Sequence, residues 1–345
     1  MKLFYPKSHY NKSYRGHTFP LLKPFLKGKG FTDQERIAMY GLSEEDLVFV
    51  DTMETSDVAI LTMSWNYYVT TKQQANAIQF LKETQGLNIP TWVVLLDDVG
   101  LDFPGFPHVK LFRQSGYNSK TPDWHVGLPV FISDPLKEQY DTTAIFERPY
   151  TENPTVGFCG YATSDVVLAL KTKFKVGLKN LAYYLKLHSQ EPEMLLAAAQ
   201  WRYKILKRLE AYSAIRTNFI YREKYRAGSQ SVAERAVATK DFFDNINASD
   251  YVVCVRGTGN FSVRLYETLA MGRIPIFVNT DCILPLEDEI DWKQHVVWVE
   301  AHEIDKIGNI LSAFHKKLDQ EKFIALQHAN RCLWNDRLRL KGTFR

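Results

Sequence analysis

Between residues 58 and 98 the chain alternates an apolar run, an amphipathic stretch and a second apolar run, and this alternation limits the fold more than any other feature. The runs "VAILTM" (58–63) and "TWVVLLDD" (91–98) are rich in Val, Ile and Leu, as strands buried on both faces must be. Between them "TKQQANAIQFLKETQG" places Ala75, Ile78 and Leu81 on one helical face and closes on Gly86. Strand, helix, strand at this spacing is a βαβ unit, so the sheet is mostly parallel. "LVFV" (47–50) and "VKLF" (109–112) extend it. Prolines at 104, 107, 122, 129 and 135 then mark a loop-rich stretch, and "FERPYTENP" (146–154) reads as a linker.

A second α/β pattern follows. "TVGFCGY" (155–161) is a strand, and Ser164 caps the helix after it. Residues 191–213 carry the strongest helix signal, followed by the strand "TNFIY", the helix "VAERAVATKDFFDNIN" and the buried strand "DYVVCV" (250–255). A helix capped by Ser262 runs to about Met271 before Gly272, then comes the strand "RIPIFVN", and residues 303–335 are helical. The expected architecture is α/β, two Rossmann-like domains in residues 1–150 and 151–320, with a final helix in 321–345 packing back on the first. Ligands of such sheets bind beyond the carboxyl ends of the strands, which places the site in the cleft between the domains.

Composition narrows the partners. A net charge of +4, from 43 basic and 39 acidic residues, is too balanced for a nucleic-acid binder. Cys159, Cys254, Cys282 and Cys332 are far apart and form no C-x-x-C pair, which argues against structural zinc and for a reducing compartment. No stretch approaches ~18 consecutive apolar residues, and the N-terminus lacks the apolar core of a signal peptide. The expected location is cytoplasmic, with no integral membrane segment and peripheral membrane contact left open.

The chemistry concentrates in "RGTGNFSVRLYETLAMGRIPIFV" (256–278). Gly257 and Gly259 let the backbone approach a ligand between a strand's carboxyl end and a helix N-terminus. Unpaired N–H groups there favour an anion. Arg256 and Arg264 supply forked cations suited to phosphate. Glu267, one turn beyond Arg264, can accept from ribose hydroxyls. A nucleoside-diphosphate site results, with a solvated Arg–Glu surface pair as the competing reading. A dinucleotide fingerprint fits worse, because Ser262 stands where a third glycine belongs.

The matches continue in order through Ala270-Met271-Gly272, Ile274-Pro275, Leu284-Pro285 and Ile290-Asp291-Trp292. Together they resemble the nucleotide-sugar-binding half of the exostosin family of glycosyltransferases, while the N-terminal half resembles it loosely, in "DVAILTMSW" and "DWHVGLPVF". The resemblance implies a GT-B fold, with two Rossmann-like domains facing across a cleft. It implies inverting transfer from a UDP- or GDP-sugar to a glycan or other hydroxyl acceptor, with no metal or other cofactor required. Its donor site falls on Arg256, Gly257, Gly259, Asn260, Ser262, Arg264 and Glu267, with Arg264 also stabilising the leaving diphosphate. Leu286 departs from the family's usual phenylalanine, and the missing N-terminal anchor departs from its Golgi members and suggests a bacterial or viral relative.

Inverting transfer needs a base. His17, after the first strand, and Asp97 and Asp98, at a strand end, are the candidates, and His125 is a further one. Neither Asp97-Asp98 nor Glu287-Asp288-Glu289 has the D-x-D form of metal-dependent sugar transferases. Trp65, Tyr67, Tyr68 and Trp124 suit either acceptor stacking or core packing. Alternatives are a fucosyltransferase-like enzyme using a GDP-sugar, a non-catalytic nucleotide-sugar or glycan-binding protein, and an NAD-dependent enzyme.

Overall fold

The structure, a computed structural model, describes residues 1–28, 30–223, 228 and 231–344. Its N-terminal sheet holds β1 (Lys2–Phe4), β2 (Val48–Phe49), β3 (Val58–Ile60), β4 (Thr91–Leu95), β5 (Val109–Arg113) and β6 (His125–Gly127). They lie in the order β2-β1-β3-β4-β5-β6, every pairing parallel. α1 (Asp33–Tyr40), α2 (Trp65–Thr70) and α3 (Gln74–Gly86) belong to this half, and α4 (Pro135–Tyr140) follows β6. The C-terminal sheet runs β11-β10-β9-β7-β8, again all parallel. Its strands are β7 (Thr155–Tyr161), β8 (Arg216–Arg222), β9 (Tyr251–Cys254), β10 (Ile274–Asn279) and β11 (Val297–Glu300). Helices α5 (Val166–Tyr184), α6 (Ala198–Glu210), α7 (Val232–Asn247), α8 (Val263–Ala270), α9 (Ile307–His315), α10 (Gln320–Arg337) and α11 (Leu340–Thr343) complete it. Two parallel sheets wrapped by helices are the two-Rossmann, GT-B-like architecture.

Buried strands behave as their composition requires. All of β4 and β9 is buried, and Val93, Val94, Val252 and Val253 are fully so. Among the helices, Gly272 (φ 64°) takes the left-handed conformation after α8, which glycine adopts without steric cost. α3 ends differently from the sequence reading. Gly86 is its last helical residue, and Asn88 (φ 55°) takes the left-handed turn.

Two helix starts also moved. Asp165, not Ser164, caps α5, accepting from the Leu168 N–H. The expected helix at 191–213 begins only at Ala198. Residues 189–194 run extended across the N-terminal half, with the Asp102 N–H donating to Ser189 and the Glu191 N–H to Gly100. Two glutamates of this segment find arginines elsewhere, as described below.

The halves are interleaved. Leu136 of α4 packs with Phe243, Leu269 and Trp334 of the C-terminal half. Conversely, Leu340 and Phe344 lie in the N-terminal core with Leu3, Phe19, Trp92 and Phe112.

Candidate donor site and catalytic cleft

In open parallel sheets the crevice forms where the strand order reverses. This chain has two such points, between β1 and β3 and between β7 and β9. The predicted residues collect at both.

At the C-terminal switch point, Arg264 of α8 reaches under the strand ends. It donates to the Cys159 carbonyl of β7 at 2.8 Å and to the Val253 carbonyl of β9 at 3.3 Å. Its guanidinium lies over the Phe158 ring, 4.3 Å from the centroid, with Phe242 at 5.4 Å. Gly160 makes room for it, since a Cβ there would lie 2.8 Å from an Arg264 nitrogen. The Arg264 Nε is buried and donates to nothing, which is costly for a charged donor. Burial holds its pKa below the ordinary arginine value, although Cys254 and Glu267 pull it upward. Glu267 is thus close enough to act on Arg264 electrostatically.

Two more arginines share this corner, and sequence reasoning missed both. Arg202 of α6 donates to the Tyr161 carbonyl at 2.7 Å, and burial with the field of Arg264 lowers its pKa to about 10. Arg222, at the end of β8, donates to the Ala238 carbonyl at 2.7 Å and adds its field to Arg264. Arg264 thus lowers the pKa of Arg202, and Arg222, whose guanidinium is 4.0 Å from the Asp241 carboxylate, lowers that of Arg264; cations gathered in this way can receive an anion. No local motif marks Arg202 or Arg222, because only the tertiary fold brings α6 and the end of β8 beside Arg264.

The loop before α8 divides its residues. Gly257 faces open space, with no atom within 4 Å of where a Cβ would stand. Gly259 is in contact with the other half, where a Cβ would come within 2.6 Å of the Asp98 carbonyl oxygen. Ser262 occupies the N-cap position of α8, but its side chain accepts no bond from the first turn, contrary to the capping expected of it.

Arg256 and Asn260 bind protein rather than open space. Arg256 is 4% exposed and donates to the Tyr117 hydroxyl (2.9 Å), the Glu193 carboxylate (2.6 Å) and the Thr258 carbonyl (2.9 Å). Burial opposes its charge, but Tyr117 and Glu193 offset this and raise its pKa. The Asn260 amide donates to the carbonyls of Gly116 and Thr280, its carbonyl accepts from Thr280 Oγ1, and its N–H donates to Ser115. Both side chains tie the C-terminal half to residues 115–117. Arg113 repeats the pattern on the other side, donating through two nitrogens to Glu191 at 3.1 and 2.5 Å.

At the N-terminal switch point, His17 follows β1 and Ser64 follows β3, and His17 Nδ1 lies 3.0 Å from Ser64 Oγ. Asp97 follows β4 and accepts from the Asn66 amide at 2.8 Å. Its backbone (φ 150°) lies in a region that side chains rarely adopt. Loss of hydration raises the Asp97 pKa, with His17 opposing the rise and Asp98 adding to it. Asp98 is also raised, first by lost hydration and then by Glu193, with Arg256 opposing. His17, Asp97 and Asp98 therefore form one group. His125 stands apart. Its Nδ1 is 3.2 Å from Arg113, its Nε2 is buried without a partner, and burial lowers its pKa to about 4.

The remaining candidates are structural. Trp65, Tyr67 and Tyr68 are core residues, and Trp65 donates to the Asp102 carbonyl at 2.8 Å, so none offers a face to an acceptor. Trp124 packs against that same core. Glu289 pairs with Arg337, and Glu287 accepts from the Leu284 N–H. Trp292 is buried and donates to the Pro285 carbonyl at 3.0 Å, fixing the turn that meets Gly127. Among the described residues no group of three or more His, Cys, Asp or Glu is placed to hold a metal.

Residues 185–314 match the Exostosin GT47 domain model. Exostosin-1 of Drosophila melanogaster is 28% identical over 94 residues, which are 27% of this chain and 12% of that protein. A probable glucuronosyltransferase of Oryza sativa subsp. japonica is 29% identical over 72 residues, 21% of this chain and 17% of that protein. The chain thus spans well under two thirds of these relatives' length. Among solved structures, a glycosyltransferase from Rickettsia africae ESF-5 covers 99% of this chain and 95% of its own, with a TM-score of 0.37 and 11% identity. The matched segment contains β8 to β11 and every arginine of the corner described above, and over that segment the chain is similar to the exostosin family.

Proposed function

We propose that the chain is a glycosyltransferase that moves a sugar from a nucleoside-diphosphate sugar to a hydroxyl acceptor on a glycan, with inversion and without a metal. The observation that carries this reading is Arg264, whose buried Nε has no partner, flanked by Arg202 of α6, bonded to the end of β7, and Arg222 at the end of β8. The diphosphate lies against these arginines, the open face of Gly257 and the first turn of α8, whose N–H groups and dipole favour an anion. Glu267 accepts from the ribose hydroxyls. Arg256 and Asn260, expected as direct donor contacts, hold the loop in position instead.

The acceptor enters from the N-terminal side. Asp97, with His17 beside it, takes the hydroxyl proton as the acceptor oxygen attacks the anomeric carbon. The bond from that carbon to the diphosphate oxygen breaks, and the leaving group departs with the electron pair, stabilised by the arginines.

The first donors to try are nucleotide-activated glucuronate and xylose, since relatives are named as a probable glucuronosyltransferase and a probable beta-1,4-xylosyltransferase. The test is release of nucleoside diphosphate from UDP- and GDP-sugars, with and without EDTA, beside thermal stability with each nucleotide. A ligand at about 100 times its Kd adds about 2.7 kcal/mol of stability. Donor binding without turnover would instead make the protein a nucleotide-sugar binder. Stabilisation by NAD alone would overturn the reading.

A further inference from the structure

The helix α5 wears its apolar stripe on the outside. Val167, Leu170, Phe174, Leu178, Leu181 and Leu185 recur at three- and four-residue spacing, which is one face of a helix. All six are exposed, Leu170 at 62%, Phe174 at 70% and Leu185 at 60%. The inward side is occupied by other residues, among them Ala169, which is buried, and Asn180 and Tyr183, which bond to Glu193 and Asp102. At 1.5 Å per residue the 19 residues of α5 make a stripe about 28 Å long. A continuous apolar surface of that length marks an interaction site.

The charge around it selects the partner. Residues 166–190 contain Lys171, Lys173, Lys175, Lys179 and Lys186 and no Asp or Glu, in a chain whose charges otherwise nearly balance. On the helix wheel Lys171, Lys175 and Lys179 flank one side of the stripe and Lys173 the other. An apolar stripe bordered by lysines matches acyl chains below anionic headgroups. A second copy of the chain fits poorly, because pairing two such stripes would set lysine rows against each other. The helix does not cross a membrane, since among the described residues no helix is long and apolar enough.

We propose that α5 lies in the surface of a membrane containing anionic phospholipid, with Phe174 and its stripe neighbours in the acyl boundary and the lysines among the headgroups. This surface is independent of the donor site. It follows β7 directly, so binding sets the donor corner close to the bilayer.

The test is co-sedimentation of the full chain with vesicles of phosphatidylcholine alone and of phosphatidylcholine with phosphatidylglycerol. The expected result is salt-sensitive binding to the anionic vesicles. The double variant F174D/L178D should weaken it about ten-fold or more, with unchanged circular dichroism, since both positions are exposed. The triple variant K171E/K175E/K179E should lose the preference for phosphatidylglycerol. Failure of the wild-type chain to bind anionic vesicles would overturn the proposal, as would equal binding by the folded F174D/L178D protein. Sedimentation velocity supplies the remaining arm: a dimer that F174D/L178D dissociates would assign the stripe to a second copy instead.

Discussion

Arg264 is held by two carbonyls and two aromatic rings, yet one of its buried donors has no partner. A charge kept in that condition lowers stability and needs a compensating use. Removing a group that stabilises developing charge costs about 10²- to 10³-fold in kcat, and Arg264→Ala should lose at least that while remaining folded. Arg264→Lys should recover only part of it, because a point charge cannot reproduce the fork. Near-normal turnover in the alanine variant would remove Arg264 from the site. Asp97 invites a pH experiment. Its raised pKa means that the folded state holds the proton more tightly than the unfolded chain, so the group disfavours folding as pH rises through the folded pKa. Asp97→Asn should therefore leave stability at neutral pH unchanged or higher while abolishing turnover. In the wild-type chain, the acidic limb of kcat/KM for the proposed transfer should lie above the ordinary aspartate value of about 3.9. An acidic limb that persists unchanged in Asp97→Asn would assign the base to His17 or Asp98.

At the level of elements, the segment between α5 and α6 shows what the sequence discloses and what it hides. Strands β2 to β5 and β7 to β10, the βαβ order, α7 and the glycine after α8 were legible because each follows from local periodicity or backbone freedom, whereas β6 and β11 drew no strand reading. Residues 191–197 were also read as helical, but they run non-helical because Glu191 and Glu193 meet Arg113 and Arg256. Those partners lie 78 and 63 residues away, beyond the reach of any local pattern. The same limit hid how near Arg202 and Arg222 lie to Arg264, and it hid the bonds of Arg256 to Glu193 and Tyr117. Arg264 and Glu267 were legible as a pair because one helical turn fixes their relation. The pairing of Glu193 with Arg256 is nearly closed to water, with side chains 15% and 3% exposed. Breaking a buried pair from one side costs about 3–5 kcal/mol, and Glu193→Ala should approach that figure in urea denaturation. Glu193→Gln, which keeps an acceptor for Arg256 and Tyr117, should lose less. Equal stability of Glu193→Ala and wild type would show that the segment is only lying on the surface.

For the whole molecule, the chain's last described residues carry a consequence out of proportion to their number. After α10 packs on α8 and Leu338 joins the same core in the C-terminal half, Leu340 and Phe344 lead the backbone away from it. Phe344 enters the opposite core, its ring centroid 5.1 Å from that of Phe112, 5.3 Å from Phe19 and 5.6 Å from Trp92. It is the closing member of an aromatic cluster whose other members come from β4, β5 and the segment after β1. A buried Phe→Ala change costs about 3–5 kcal/mol through lost transfer energy and the cavity left behind. Here the loss falls on the N-terminal half alone, although the substituted residue is reached through the C-terminal one. Phe344→Ala should therefore uncouple the two halves as well as destabilise one. Calorimetry of the wild type should show a single transition. The variant should show an earlier transition for the N-terminal half, while UDP or GDP continues to raise the later one, because the proposed donor corner belongs to the C-terminal sheet. If both halves of the variant shift together, the coupling resides in the Arg113 and Arg256 pairs and not in the returning C-terminus.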